Sequence, residues 1–251
     1  MKIKNKAYAI IAILFWIAVW HISATLVGKT ILLPTPLETV RVFLALSSDL
    51  AFWEICFLSV KSIFAGLLGG ILVGTLIAGL SYISPLLKEL FSPLLSLVKA
   101  TPIASVIILF LVWIGKDKIP VFVSLMMVTP IVASNTLEGL YNIDKSLWEV
   151  TKLYKFGFFK SWKFLYRHSL LPYVSSALKS GISLAWKAGI AAEVLCTPMG
   201  TIGERLYESK LYMEMPELFA WTLAVVLISL FLELVVVKLT ERLLGGVRNE
   251  R

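Results

Sequence analysis

The stretch "EVTKLYKFGFFKSWKFLYRHSLLPYV", Glu149 to Val174, sets Lys152, Lys155, Lys160, Lys163 and Arg167 among aromatic side chains, with a long apolar run on either side. Those flanks decide what it is. The chain has 251 residues, 58% of them hydrophobic and only 16% charged, and its mean hydropathy of +0.85 lies well outside the range of soluble domains. A helix needs about 20 apolar residues to cross the hydrocarbon core. Runs of that kind fall at roughly 7–27, 57–80, 94–114, 120–140, 173–195 and 218–237. The composition predicts an all-α polytopic membrane protein with six transmembrane helices and short loops, forming a single transmembrane domain over 1–251.

Orientation follows from the loops. The opening Met1-Lys-Ile-Lys-Asn-Lys6 resembles the start of a signal peptide, but the apolar run behind it is longer than a signal core and further spans follow, so it reads as a retained first helix. Placing the N-terminus inside puts twice as many lysines and arginines in the cytoplasm as outside. Both termini are therefore expected in the cytoplasm, together with the basic aromatic segment. The same bias accounts for much of the net charge of +8, so no nucleic-acid partner is inferred. Cys56 and Cys196 fall near the outer ends of spans, which leaves a disulfide open, but thiols buried in helices are the commoner case.

Local signals refine the picture. Thr35, Pro36 and Glu38 in "LPTPLETV" form a capping box that starts an amphipathic helix at the outer surface. Ser62, Gly66, Gly70, Gly74 and Ala78 recur every four residues, a series that lets another helix backbone approach closely. In "VKATPIASVIILFLVWIG", Lys99, Thr101 and Pro102 lie at the inner edge of the third run; Lys99 either snorkels to the headgroups or lines a path. In the fifth run Ser176, Ser180, Ser183, Lys187 and Ala191 follow i, i+4, i+7, i+11, i+15, one polar or small stripe. Lys187 lies near mid-membrane, where a charge needs water or a partner. It reads as pore-facing or as half of a structural ion pair; Glu193, six residues on and so on the opposite side of the same helix, is a possible other half from the next subunit or helix.

Catalytic constellations are missing from the sequence. "SATLVGKT", residues 23–30, lacks the first glycine of a phosphate-binding loop and falls on the wrong side for ATP. His21 and His168 lie at different depths and make no metal pair, and Gly181-Ile182-Ser183 has no histidine to activate the serine. An enzyme is not expected, nor a metal or a cofactor of the chain's own. If the chain does work, another subunit supplies the energy.

From Ile143-Asp144-Lys145-Ser146 a helix begins, the chain bends near Gly157, and a second helix runs toward Pro172. Two short helices around a glycine make a knob that suits a groove on a partner; an interfacial hairpin among anionic headgroups is the alternative. The segment, 143–172, resembles the EAA loop of permease subunits of type I ABC importers, and the order of "LPTPLETV", "VKATPIASVIILFLVWIG", "NTLEGLYNIDKSLWEV" and "LPYVSSALKSGISLAWKAGIAAEVL" is similar to the branch that includes sulfonate, taurine, nitrate and thiamine-precursor permeases. Glu149 matches that pattern. Val150 and Thr151 replace two alanines, Lys155 occupies the usual glycine place with Gly157 two residues late, Arg167-His168 falls where a first Leu-Pro is usual, and Leu171-Pro172 matches a second proline.

The resemblance implies a coupling helix, with Glu149, Leu153, Tyr154 and Gly157 at a cytoplasmic ATPase subunit that binds the ATP. It also implies an extracytoplasmic substrate-binding protein and a second permease copy in the bacterial cytoplasmic membrane. The stripe argument assigns the translocation path to Lys99, Thr101, Ser180, Ser183 and Lys187. Lys187 and the branch lean toward a small anion such as a sulfonate, with a pyrimidine-like solute as the other option. A secondary transporter independent of ATP is the competing class; it predicts inverted repeats, and none is evident.

Overall fold

The computed structural model describes residues 2–161 and 165–248. Trp162, Lys163 and Arg251 lie outside them, as do the side chains of Lys2, Lys4, Lys6, Lys152, His168 and Arg248. Every regular element among the described residues is helical: α1 (Lys2–Val27), α2 (Pro36–Ser47), α3 (Leu50–Ile83), α4 (Pro85–Ala100), α5 (Ile103–Leu111), α6 (Ile119–Tyr141), α7 (Lys145–Leu153), α8 (Phe158–Ser161), α9 (Arg167–Cys196), α10 (Ile202–Leu211) and α11 (Met215–Arg248).

Within the described residues α1, α3, α6 and α11 are long and apolar enough to cross a membrane. The run expected as one span at 94–114 is instead two helices, α4 and α5, meeting at 101°. The cause is Pro102, which drives the preceding Thr101 to extended backbone (φ −77°, ψ 129°) and so closes α4. The break leaves little unsatisfied. Thr101 N–H and Oγ1 both donate to the Leu97 carbonyl, and the Pro102 carbonyl accepts from Ser105 and Val106 as α5 begins. The run at 173–195 lies within α9, 30 residues or about 45 Å long. Lys179, Lys187 and Glu193 dilute its apolar character, and it is not among the four.

α6 lies at the centre, packed between α3 and α9. The small-residue series of α3 faces it: Gly66, Gly70, Gly74 and Ala78 are all buried, and the packing reading of that series holds. Across the other face, Ser124 Oγ of α6 donates to the Ala185 carbonyl of α9 over 3.2 Å, and Gly189 leaves room for Ile63 and Ser124. Phe52 stacks on Trp221 at 4.9 Å and Trp186 Nε1 donates to the Val225 carbonyl, which joins α3 and α9 to α11.

α1 stands at the edge with Ile10, Ile11, Leu14 and Trp16 exposed, an apolar surface suited to lipid. Trp20 Nε1 ties it to the Pro34 carbonyl, and the capping box at Thr35 and Glu38 is formed, with Thr35 N–H donating to Glu38 Oε2 over 2.8 Å. Cys56 and Cys196 are both free thiols in separate apolar clusters.

Candidate functional site

The segment between α6 and α9 folds as two short helices. Asp144 starts α7 by accepting from both the hydroxyl and the backbone N–H of Ser146, each at 2.8 Å. These bonds, the hydroxyl's first, hold its carboxyl below the usual carboxylate range. A carboxyl lowered on folding adds stability above its unfolded value, so this helix start holds at neutral pH and loosens only as pH falls through the lowered one.

α7 ends at Leu153, and the chain turns at Lys155, whose φ is +47°, while Phe156 N–H donates to the Thr151 carbonyl over 3.0 Å. The bend therefore sits on the residue that occupies the usual glycine place, not on Gly157, which is outside the left-handed region. A non-glycine residue in that conformation costs about 1 kcal/mol. Lys155→Gly is expected to slow amide hydrogen exchange across 151–158 severalfold and to leave the bundle unchanged; exchange that does not slow would mean that the turn carries no strain.

Glu149, Leu153, Tyr154 and Gly157 all lie exposed on this one projecting element. Leu153 is 77% and Tyr154 69% exposed. With the half-exposed Val150 they set three apolar side chains on one side of the element.

The five residues assigned to a path fall in two places. Lys99 and Thr101 stand at the α4–α5 break, with Lys99 Nζ 3.5 Å from Ser134 Oγ of α6. Ser180, Ser183 and Lys187 stand on α9. On that helix Ala177, Gly181, Ala185, Trp186, Ala188 and Ala192 are buried, while Ser176, Ser180, Lys187 and Ala191 stay exposed and Ser183 half-buried. Among the described residues the polar stripe is thus the strip of α9 left uncovered.

Glu193 is not available to Lys187. It is fully buried on the opposite side, where Ser59 Oγ of α3 donates to Oε2 over 2.8 Å and Gly203 N–H of α10 donates to the same oxygen over 3.2 Å. Ser59 Oγ in turn accepts from Ile202 N–H at 2.9 Å. The Glu193 side chain ties the end of α9 to the start of α10 and to the third turn of α3. Among the described residues the ion pair present is a different one, Arg205 with Glu208 at 3.0 Å on α10.

Over residues 70–248, the greater part of the chain and the part that holds this element, the sequence matches the family of binding-protein-dependent transport system inner membrane components. The chain belongs to that family. A Bacillus subtilis protein assigned to aliphatic sulfonates transport, the permease SsuC, is 25% identical over 81% of this chain and 74% of its own length. The formylaminopyrimidine transport permease ThiX of Halalkalibacterium halodurans is 30% identical over 68% of this chain and 69% of its own. The bicarbonate transport permease CmpB of a Synechocystis is 28% identical over 57% and 49% respectively. The chain is a permease of the ABC-importer kind, a multi-pass protein of the cell membrane and a transport component rather than an enzyme.

In this permease no group of three or more His, Cys, Asp and Glu side chains gathers at metal-binding spacing among the described residues. The sequence reading missed two features. Ser59 lies 134 residues from Glu193, and no periodicity connects them. Lys88, Ser92 and Ser96 share one face of α4 with Lys99 at i, i+4, i+8 and i+11, the same kind of stripe as on α9. It escaped notice because α4 straddles the gap between the second and third apolar runs.

Proposed function

We propose that this permease is the membrane-spanning subunit of an ATP-driven importer for a small anionic solute of the sulfonate kind, delivered by an extracytoplasmic binding protein. The observation that carries the reading is the exposed apolar element α7–α8 between two long helices, a rigid surface of the shape and chemistry that a groove on a separate ATPase subunit would bury. ATP is bound by that subunit. Six passes are formed by α1, α3, the bent α4–α5 pair, α6, α9 and α11, with both termini and α7–α8 in the cytoplasm. Two copies face each other across the uncovered strip of α9, which places Ser180, Ser183 and Lys187 along the path between them. Closure of the ATPase dimer then moves the α7–α8 elements and rocks the bundles as rigid bodies.

The test is disulfide crosslinking in native membranes between Leu153→Cys or Tyr154→Cys and cysteines on the ATPase encoded alongside. ATP-sensitive crosslinks are expected; their absence from a folded complex would return α7–α8 to the lipid surface and favour a transporter independent of ATP. A second prediction concerns charge. Lys187→Met is expected to cut uptake of an alkylsulfonate about tenfold, the scale on which a charged cleft raises local anion concentration, with dimer assembly intact. Loss of assembly instead would make Lys187 a structural residue.

A further inference from the structure

Of the apolar residues of α4, Leu87, Phe91, Leu95 and Val98 are half-buried, while Leu86, Leu90, Leu94 and Leu97 point away from the bundle and are 52–77% exposed. Lys88, Ser92, Ser96 and Lys99 form an exposed polar strip between those two faces and border an open cavity of about 170 Å³ against α3 and α6. Ser81 of α3 and Ser134 of α6 complete its polar wall. The described lining holds two lysines, four serines and no acidic residue. Lys88 Nζ is held 5.0 Å from the centre of the Tyr141 ring and Lys99 Nζ 3.5 Å from Ser134 Oγ, so neither cation meets a carboxylate. Cations on a membrane helix are costly unless they meet water or a partner, and here both border the same open cavity.

We infer that this cavity is a resting site for the oxyanion group of the transported solute, a sulfonate or a carboxylate, between Lys88 and Lys99. The inference rests on the permease reading and deepens it. Two ammonium groups supply charge and the serines supply hydroxyl donors, the complement of an oxygen-rich anion. The volume equals that of roughly five or six waters, which suits a headgroup the size of methanesulfonate. A lipid phosphate offers the same chemistry from a different source.

The test uses Ser96→Cys, with Ser92→Cys as a second position, in a Cys56→Ala, Cys196→Ala background of the full chain in nanodiscs. The probes are a sulfonatoethyl and a trimethylammonioethyl methanethiosulfonate, each rate taken relative to a free thiol. The anionic reagent is expected to react about tenfold faster than the cationic one. Methanesulfonate should slow it, and Lys88→Met with Lys99→Met should abolish the preference. Equal rates at both positions, or a preference that survives loss of both lysines, would overturn the inference. A preference present in phosphatidylcholine but lost in phosphatidylglycerol would assign the site to a lipid headgroup and overturn it as well. Missing ATPase crosslinks would remove the importer reading without touching this labelling, whereas a missing preference with crosslinks present removes the anion site alone.

Discussion

Gly66→Leu is expected to leave almost no folded permease in the membrane. A Cβ at Gly66 would lie 2.3 Å from the Val121 carbonyl oxygen and 2.7 Å from Ser124 Cβ, both on α6. The obstacle is largely backbone, so a rotamer change on the neighbour does not relieve it. α3 would have to retreat from α6, which also opens the close approaches at Gly70 and Gly74, where an added Cβ would lie 2.9 Å from the Leu125 carbonyl oxygen and 2.7 Å from that of Thr129. Overpacking an ordinary core costs about 1–3 kcal/mol. Here the cost should reach or exceed the upper figure, because close packing is much of what holds helices together where lipid is as apolar as the side chains. About 3 kcal/mol shifts the folded ratio more than a hundredfold, a large part of a typical stability. Gly79→Leu is the control, since nothing lies within 4 Å of its added Cβ. The measurement is the yield and thermal unfolding of detergent-extracted protein. Equal behaviour of the two variants would show that α3 and α6 do not pack through these glycines.

Leu153→Asp is expected to do the opposite, leaving the fold intact and removing function. The side chain is 77% exposed at the end of α7, so the permease itself loses little. If α7 seats in a groove on the ATPase, the variant gives up the burial of a leucine, about 1.5–3 kcal/mol, and forces a carboxylate against an apolar wall. ATP-driven uptake should fall by well over tenfold, while extraction yield and unfolding temperature stay at the parent values. Uptake within twofold of the parent would place the ATPase contact elsewhere.

Much of this architecture was legible in the chain. The capping box at Thr35, the packing series from Gly66 to Ala78 and the helical start at Asp144 are short-range patterns, and local physics fixes them. The stripe on α9 was readable too, since helical period alone shows which residues share a face. What covers that face is a tertiary matter, and Glu193 illustrates it: a carboxylate six residues from Lys187 looks like a candidate counter-ion until the fold brings Ser59 and the start of α10 to it.

The third apolar run misled for a different reason. A hydropathy window averages across Thr101-Pro102, so a 101° bend and a straight span give the same signal. Composition likewise placed the turn after α7 at Gly157, because glycine takes positive φ most readily; Lys155 adopts it instead.

The buried knot of Glu193, Ser59 and Ile202 also has a mechanical meaning. It pins one end of a rod about 45 Å long, since α9 runs 30 residues from Arg167 to Cys196. A rod fixed at one tip amplifies rotation at the other: a tilt of about 5° about this fulcrum carries the Arg167 tip through about 4 Å. The far tip leads on to α7–α8 and is packed too, with Leu165 and Leu170 buried, so in a rigid-body tilt a small angular change at the pinned end and a displacement of several ångströms at the projecting element would be the same movement.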